Sequence, residues 1–176
     1  MGLKFLYECD MNEQNAREVS LHYFQRAYYA QMRGALAEAI DLYKRSIEVY
    51  PTAEAHTFLG WAYSFQGKYE GAIRECLVAI EIDPDFGNPY NDIGAYLIEL
   101  ERFDQAIHWL EKAVKAKRYE SRCFPYYNLG RVYEKKWEWR KAITYYDSAL
   151  RENPEYTLAA RARDLLNNLV ENAPSS

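Results

Sequence analysis

Four stretches of the chain place apolar or small residues at i, i+1, i+4, i+7 and i+8. They are Ala39-Ile40-Tyr43-Ser46-Ile47, Ala72-Ile73-Cys76-Ala79-Ile80, Ala106-Ile107-Leu110-Ala113-Val114 and Ala142-Ile143-Tyr146-Ala149-Leu150. This spacing puts each set on one face of an α-helix. A first helical segment precedes each, with a small residue near its middle: Ala27, Gly60, Gly94 and Gly130, spaced 33, 34 and 36 residues apart. The leading alanines of the second segments, Ala39, Ala72, Ala106 and Ala142, are also 33, 34 and 36 apart. Two independent landmarks drifting in step establish an internal repeat of helix–turn–helix units. A mid-helix glycine costs about 1 kcal/mol relative to alanine, so its recurrence implies close approach by the partner helix. Pro51, Pro84 and Pro154 stop the second helices.

The pattern divides the chain into repeats at 20–51, 53–84, 87–118 and 123–154, with an N-terminal extension and the start of the first helix at 1–19. Gly2 to Asp10 lack a helical period and read as irregular. Asp10 with Glu13 fits a capping box, so a helix is expected from Met11 or Asn12 to about Arg33. Two extra residues between the third and fourth repeats, near Lys117–Arg122, imply an extended helix or a slack loop. Beyond Pro154, Thr157 to Val170 sets Leu158, Ala162, Leu165, Leu166 and Leu169 on one face, with Arg161, Arg163, Asp164, Asn167 and Asn168 on the other. That segment, 157–170, reads as a helix capping the exposed end of the repeat array. The tail, 171–176, reads as frayed from Asn172 onward.

Ala53–Pro84 resembles the tetratricopeptide repeat, whose pattern is W-x2-L-G-x2-Y, then A-x3-F, then P. It carries Leu59-Gly60, Tyr63, Ala72 and Pro84, with His56 in the tryptophan slot and Cys76 in the phenylalanine slot. Cys123–Pro154 carries Tyr126, Leu129-Gly130, Tyr133, Ala142, Tyr146 and Pro154. Gly87–Arg118 keeps Tyr90, Ile93-Gly94 and Ala106, with Leu110 in the phenylalanine slot and Arg118 in place of proline. Ser20–Pro51 keeps Tyr23, Ala27, Ala39, Tyr43 and Pro51, and departs at Arg26 and Ala30. The resemblance implies an all-α, right-handed α-solenoid of antiparallel helix pairs, four repeats and a C-terminal capping helix. Such scaffolds share a fold and not an activity.

Composition narrows the function. A net charge of −4 opposes a general nucleic-acid binder, whose footprint is basic. With the prolines and the Leu-Gly landmarks, it also opposes the RNA-binding pentatricopeptide reading. No apolar run reaches the roughly 18 residues of a membrane span. Cys9, Cys76 and Cys123 are odd in number and far apart, which reads as free thiols in a reducing, cytoplasmic setting. His22, His56 and His108 fall at three different repeat positions with no ligand spacing, so neither a metal nor a cofactor is expected. No hydrolase elbow, phosphate loop or dinucleotide fingerprint is present, and the chain reads as a non-enzyme.

By the resemblance, the first helix of each repeat lines a concave groove. The inward positions are then Leu21, Phe24, Gln25, Tyr28 and Met32; Glu54, Thr57, Phe58, Trp61 and Phe65; Asn88, Asn91, Asp92, Ala95 and Glu99; and Phe124, Tyr127, Asn128, Arg131 and Lys135. Phe24, Tyr28, Phe58, Trp61 and Phe65 are expected to form an aromatic wall that binds a protein or peptide segment, apolar or amphipathic in character. Asn91 and Asn128 offer amides that could clamp a peptide backbone, and Arg131 adds a charge. The groove positions lack the basic residues needed for an acidic chaperone tail, and Asp92 would repel one. The alternative is a structural module whose groove is filled by a second copy or by its own N-terminal segment. The state expected is a monomer or weak homodimer without nucleic-acid or membrane contacts.

Overall fold

The computed structural model describes residues 2–172, with side chains from residue 12 onward. Among these residues it is all-helical: α1 (Gly2–Met32), α2 (Leu36–Val49), α3 (Ala53–Ser64), α4 (Tyr69–Ile82), α5 (Asn88–Glu99), α6 (Phe103–Lys115), α7 (Cys123–Lys135), α8 (Trp139–Glu152) and α9 (Thr157–Glu171). The chain forms two compact units, residues 1–83 and 84–176. In the first, α1 packs on α2, α3 packs on α4, and α2 and α3 join the pairs. In the second, the pairs are α5 with α6 and α7 with α8; α6 and α7 join them, and α9 closes on α8. The architecture is an all-α solenoid of helix pairs.

Each pair turns on the same device. The chain leaves the first helix through one residue in the left-handed region: Gly34 (φ 82°), Gly67 (70°), Glu101 (57°) and Trp137 (62°). At each turn the next N–H reaches back to the carbonyl five residues earlier, as in Ala35 to Ala30 (2.9 Å) and Glu138 to Tyr133 (2.9 Å). This closes the last helical turn in a Schellman motif and satisfies carbonyls that would otherwise lack partners. The second helices end on extended residues, Tyr50, Asp83, Ala116 and Asn153. In three of the four cases a proline follows that cannot continue the helix.

The mid-helix small residues mark the close contacts. A Cβ on Gly60 would lie 2.9 Å from the Ala72 carbonyl oxygen and 3.3 Å from Cys76 Sγ. On Gly94 it would meet Leu110 at 2.5 Å, and on Gly130 it would meet Tyr146 at 2.4 Å. Ala27 is fully buried in the first pair, among Ala30, Ala39, Leu42 and Tyr43. His56, in the tryptophan slot, is buried and bonds through Nδ1 to Glu75 Oε2 at 2.8 Å.

Three expectations require correction. Helix α1 begins at Gly2, so residues 2–10 are helical and Asp10 lies inside the helix and not at its cap. Leu3 to Met11 contain neither proline nor glycine, and Leu, Lys, Glu and Met lose little in a helix. A helix already anchored downstream then propagates backward at one hydrogen bond per residue. The 116–122 connection is neither a longer helix nor slack. Arg118 N–H donates to Asp85 O (2.9 Å), Gly87 N–H donates to Arg118 O (3.1 Å), and the Arg118 guanidinium lies 4.2 Å over the Phe86 ring. Tyr119 is buried against Gly87, where any Cβ would come within 2.3 Å of it.

The third correction concerns α9. Ala159 and Leu166 are buried and Ala162 packs beside them, but Leu158, Leu165 and Leu169 are exposed. Laid on α7 with Thr157 at the place of Cys123, these leucines fall at the positions of Phe124, Arg131 and Lys135. The Leu-Gly face, where a further helix would pack, is instead Arg163 and Asp164. The leucines therefore belong to the inward-facing register and not to the capping contact. The tail beyond Asn172 lies outside the described residues.

Candidate protein-binding surface

In the N-terminal unit, α1 supplies Phe24 and Tyr28 at an i, i+4 spacing. Helix α3 supplies Phe58, Trp61 and Phe65, with Phe65 at its C-cap. Both helices are first helices of their repeats, so their free faces lie side by side. The structure joins all five rings into one series. Phe24 meets Phe58 edge-on at 5.2 Å, Tyr28 meets Phe58 at 5.8 Å, Phe58 meets Trp61 at 5.7 Å, and Trp61 meets Phe65 at 5.4 Å. These are the offset and edge geometries that aromatic quadrupoles favour.

The five rings are not equivalent. Phe24 and Phe58 are partly buried against Ala27, Leu42, Tyr43 and Leu59, and both contact the Tyr43 ring. Trp61 is half-buried, Tyr28 is exposed, and Phe65 is 61% exposed. The series therefore runs from the core outward, with an anchored base and a wet rim. Behind it, the Tyr43 hydroxyl is buried with no hydrogen-bond partner among the described residues. Burial pushes the Tyr43 phenol well above its usual range, with the neighbouring Tyr28 adding to the effect.

The C-terminal unit holds the polar candidates. Asn128 Nδ2 donates to Asn91 Oδ1 at 3.0 Å, and Asn91 Nδ2 donates to Asp92 Oδ1 at 3.3 Å. Arg131 donates to Asn128 Oδ1 at 3.2 Å and to Glu99 Oε1 at 2.8 Å. Both asparagines are buried, and each already has one amide donor and its carbonyl engaged within this row. The network ties α5 to α7. Asp92 is largely withdrawn from water, and this desolvation pushes its carboxyl up to about 7, with the Asn91 amide pulling the other way.

Sequence reasoning did not recognise two further aromatic groups as groups. Phe124 meets Tyr156 edge-on at 5.5 Å, and Tyr127 meets Tyr156 at 5.1 Å and Tyr146 at 5.6 Å. Burial, with Tyr127 second, pushes the Tyr156 phenol up to about 12. The signal was the inward register of Phe124 and Tyr127, which the sequence reading included without recognising Tyr156 as their partner. The other group is Trp137 with Trp139 at the α7–α8 turn. Comparing the four turn residues with one another would have found it.

Among the described residues, no group of three His, Cys, Asp or Glu side chains could hold a metal ion. No helix among them is long and apolar enough to cross a membrane. Cys76 and Cys123 are buried and are not joined in a disulfide.

Comparison with known proteins agrees with the helix pairing. A family model described as "Tetratricopeptide repeat" matches residues 53–86 and 123–156, and a second of the same description matches residues 88–119. The structure of PilF from Pseudomonas aeruginosa superposes with a TM-score of 0.81 at 25% identity, covering 89% of this chain and 72% of that one. Small glutamine-rich tetratricopeptide repeat-containing protein 2 of Mycosarcoma maydis is 31% identical over 44% of this chain and 22% of its own length. Anaphase-promoting complex subunit 6 of Arabidopsis thaliana is 26% identical over 72% of this chain and 24% of its own length. The chain thus spans about a quarter or less of these curated relatives.

Proposed function

We propose that this chain, which belongs to the tetratricopeptide repeat family, is a non-catalytic scaffold that binds a protein segment on the aromatic wall of its N-terminal unit. One observation carries the reading: five rings form a continuous series whose base is fixed in the core and whose rim, Tyr28, Trp61 and Phe65, faces water. A rigid base holds the rim without added ordering cost when a partner arrives. Leaving the rim wet forgoes about 25 cal/mol per Å2 of burial. The partner that fits is an apolar or amphipathic segment, such as a helix with apolar anchors at i, i+3, i+4 and i+7.

Trp61→Ala should weaken binding by about 2 kcal/mol or more, as expected for a central aromatic anchor. Isothermal titration with a synthetic amphipathic helix bearing leucine and phenylalanine anchors checks this, with thermal unfolding as the fold control. Equal affinity in wild type and Trp61→Ala would refute the assignment. Mass that rises with concentration in wild type, and fails to rise in Trp61→Ala, would instead make the occupant a second copy.

A further inference from the structure

The four intra-repeat turns are built alike, and the last departs from its siblings at two consecutive landmarks. The left-handed position is Gly34, Gly67, Glu101 and then Trp137. Left-handed backbone suits glycine and is an outlier for a bulky side chain. Trp137 holds it at φ 62° while its side chain is 79% exposed. Three positions on, the residues are Ala37, Glu70, Asp104 and then Arg140. Helices α2, α4 and α6 carry an acid in the first turn, Glu38, Glu70 and Asp104, where it complements the positive end of the helix dipole. Helix α8 carries none; Arg140 and Lys141 stand there instead.

These departures share one place. Trp137 and Trp139 lie with ring centres 6.1 Å apart, and they line an open cleft with Glu138, Arg140, Lys141 and Val170. Residues 134–141 hold four bases, Lys135, Lys136, Arg140 and Lys141, against Glu134 and Glu138, on a chain whose net charge is −4. Lys136 pairs with Asp104 and Lys141 with Glu138. Among the described residues, Lys135 and Arg140 have no ion pair. Glu138 at the α8 N-cap is taken up by Lys141, so Arg140, which has no ion pair among these residues, and an exposed tryptophan beside a second one leave a cleft that is apolar and net positive.

We propose that the Trp137–Trp139 cleft is a second docking site, which takes an acidic peptide segment bearing an apolar or aromatic anchor. The anchor lies against the two indoles, and its flanking carboxylates face Arg140 and Lys141 at the start of α8. Charge complementarity fixes this choice of occupant. The site lies within the C-terminal unit and is independent of the aromatic wall.

The test is fluorescence anisotropy on the full chain, with a labelled synthetic peptide alternating aspartate and glutamate with leucine and phenylalanine. Wild type should bind, and binding should weaken as salt rises. Trp137→Gly and Arg140→Glu should each lower affinity about tenfold or more, as for an anchor residue, while Trp61→Ala leaves it unchanged. Trp137→Gly introduces the glycine that two of its three sibling turns carry, so it should unfold at the same or a higher temperature, which separates lost binding from lost fold. Unchanged affinity in both cleft variants would overturn the proposal, as would loss in Trp61→Ala alone, which would place the peptide on the aromatic wall. No peptide binding, with Trp137-dependent pelleting on phosphatidylserine vesicles, would overturn it in favour of a lipid surface.

Discussion

Ser46 donates its hydroxyl to the backbone carbonyl of Ser20 at 2.8 Å, and Ser20 Oγ lies 2.9 Å from the carbonyls of both Ser46 and Tyr50. This buried pair fastens the middle of the long α1 to the last turn of α2. The other three second helices place Ala79, Ala113 and Ala149 where Ser46 stands. Ser46→Ala should therefore fit sterically and cost about 0.5–1.5 kcal/mol, the net worth of a buried hydrogen bond. Urea denaturation measures it, and an unchanged midpoint would show that the pair contributes nothing.

Gly60 approaches a backbone atom, whereas Gly94 and Gly130 approach side chains. A backbone carbonyl cannot rotate away, and Leu110 and Tyr146 are themselves fully buried, so none of the three sites has room to give. Gly60→Leu should destabilise by about 1–3 kcal/mol or more, the usual range for overpacking. Gly94→Ala should also destabilise, because the new Cβ meets Leu110 Cγ at 2.5 Å and Leu110 is fully buried. Equal melting temperatures for wild type and Gly60→Leu would contradict this packing register.

Tyr43 occupies a slot that the family pattern gives to phenylalanine, and its hydroxyl is buried without a partner among the described residues. An unsatisfied buried polar group carries its desolvation penalty uncompensated. Tyr43→Phe should leave the rings of Phe24 and Phe58 in place and should be neutral or stabilising by up to about 1 kcal/mol. A clear loss of stability in thermal unfolding would mean that the hydroxyl has a partner in solution.

The helix pairing was legible because its landmarks are short-range and recur. Ala39, Gly60 and Ala106 each fix a packing contact that spacing alone reveals. The five aromatics were legible as neighbours from their register, but their unequal burial was not, because it depends on how Tyr43 of α2 reaches Phe24 and Phe58. Likewise, sequence placed Asn91 and Asn128 in the inward register but could not show that their amides engage each other. Helix α9 was read as one apolar face; only its packing on α8 separates buried Leu166 from exposed Leu165. The N-terminal residues of α1 carry no amphipathic period, so helix propensity had to decide, and Asp10 misled as an apparent cap.

Asp92 gives a pH dependence of defined sign. Its carboxyl is pushed up from the usual 3.8 to about 7 by burial in the folded chain. Between those values the unfolded chain has released this proton and the folded chain still holds it. This group's contribution to stability therefore declines as pH rises from about 4 to about 7, then levels off. Asp92→Asn keeps the shape and removes the titration. The variant should gain several degrees in melting temperature over wild type at pH 8 and little at pH 4. A melting-temperature difference independent of pH would place the Asp92 carboxyl in water.

The central claim, that the aromatic rim of the N-terminal unit docks a protein, is tested most directly by quantitative affinity capture from source cells. The baits are wild type, the Trp61→Ala, Phe65→Ala double variant and Trp137→Gly, all matched for thermal unfolding. The account predicts a protein retained by wild type and by Trp137→Gly that falls about tenfold or more with the double variant, the loss expected when hot-spot anchors are removed. Full retention by a folded double variant would contradict it.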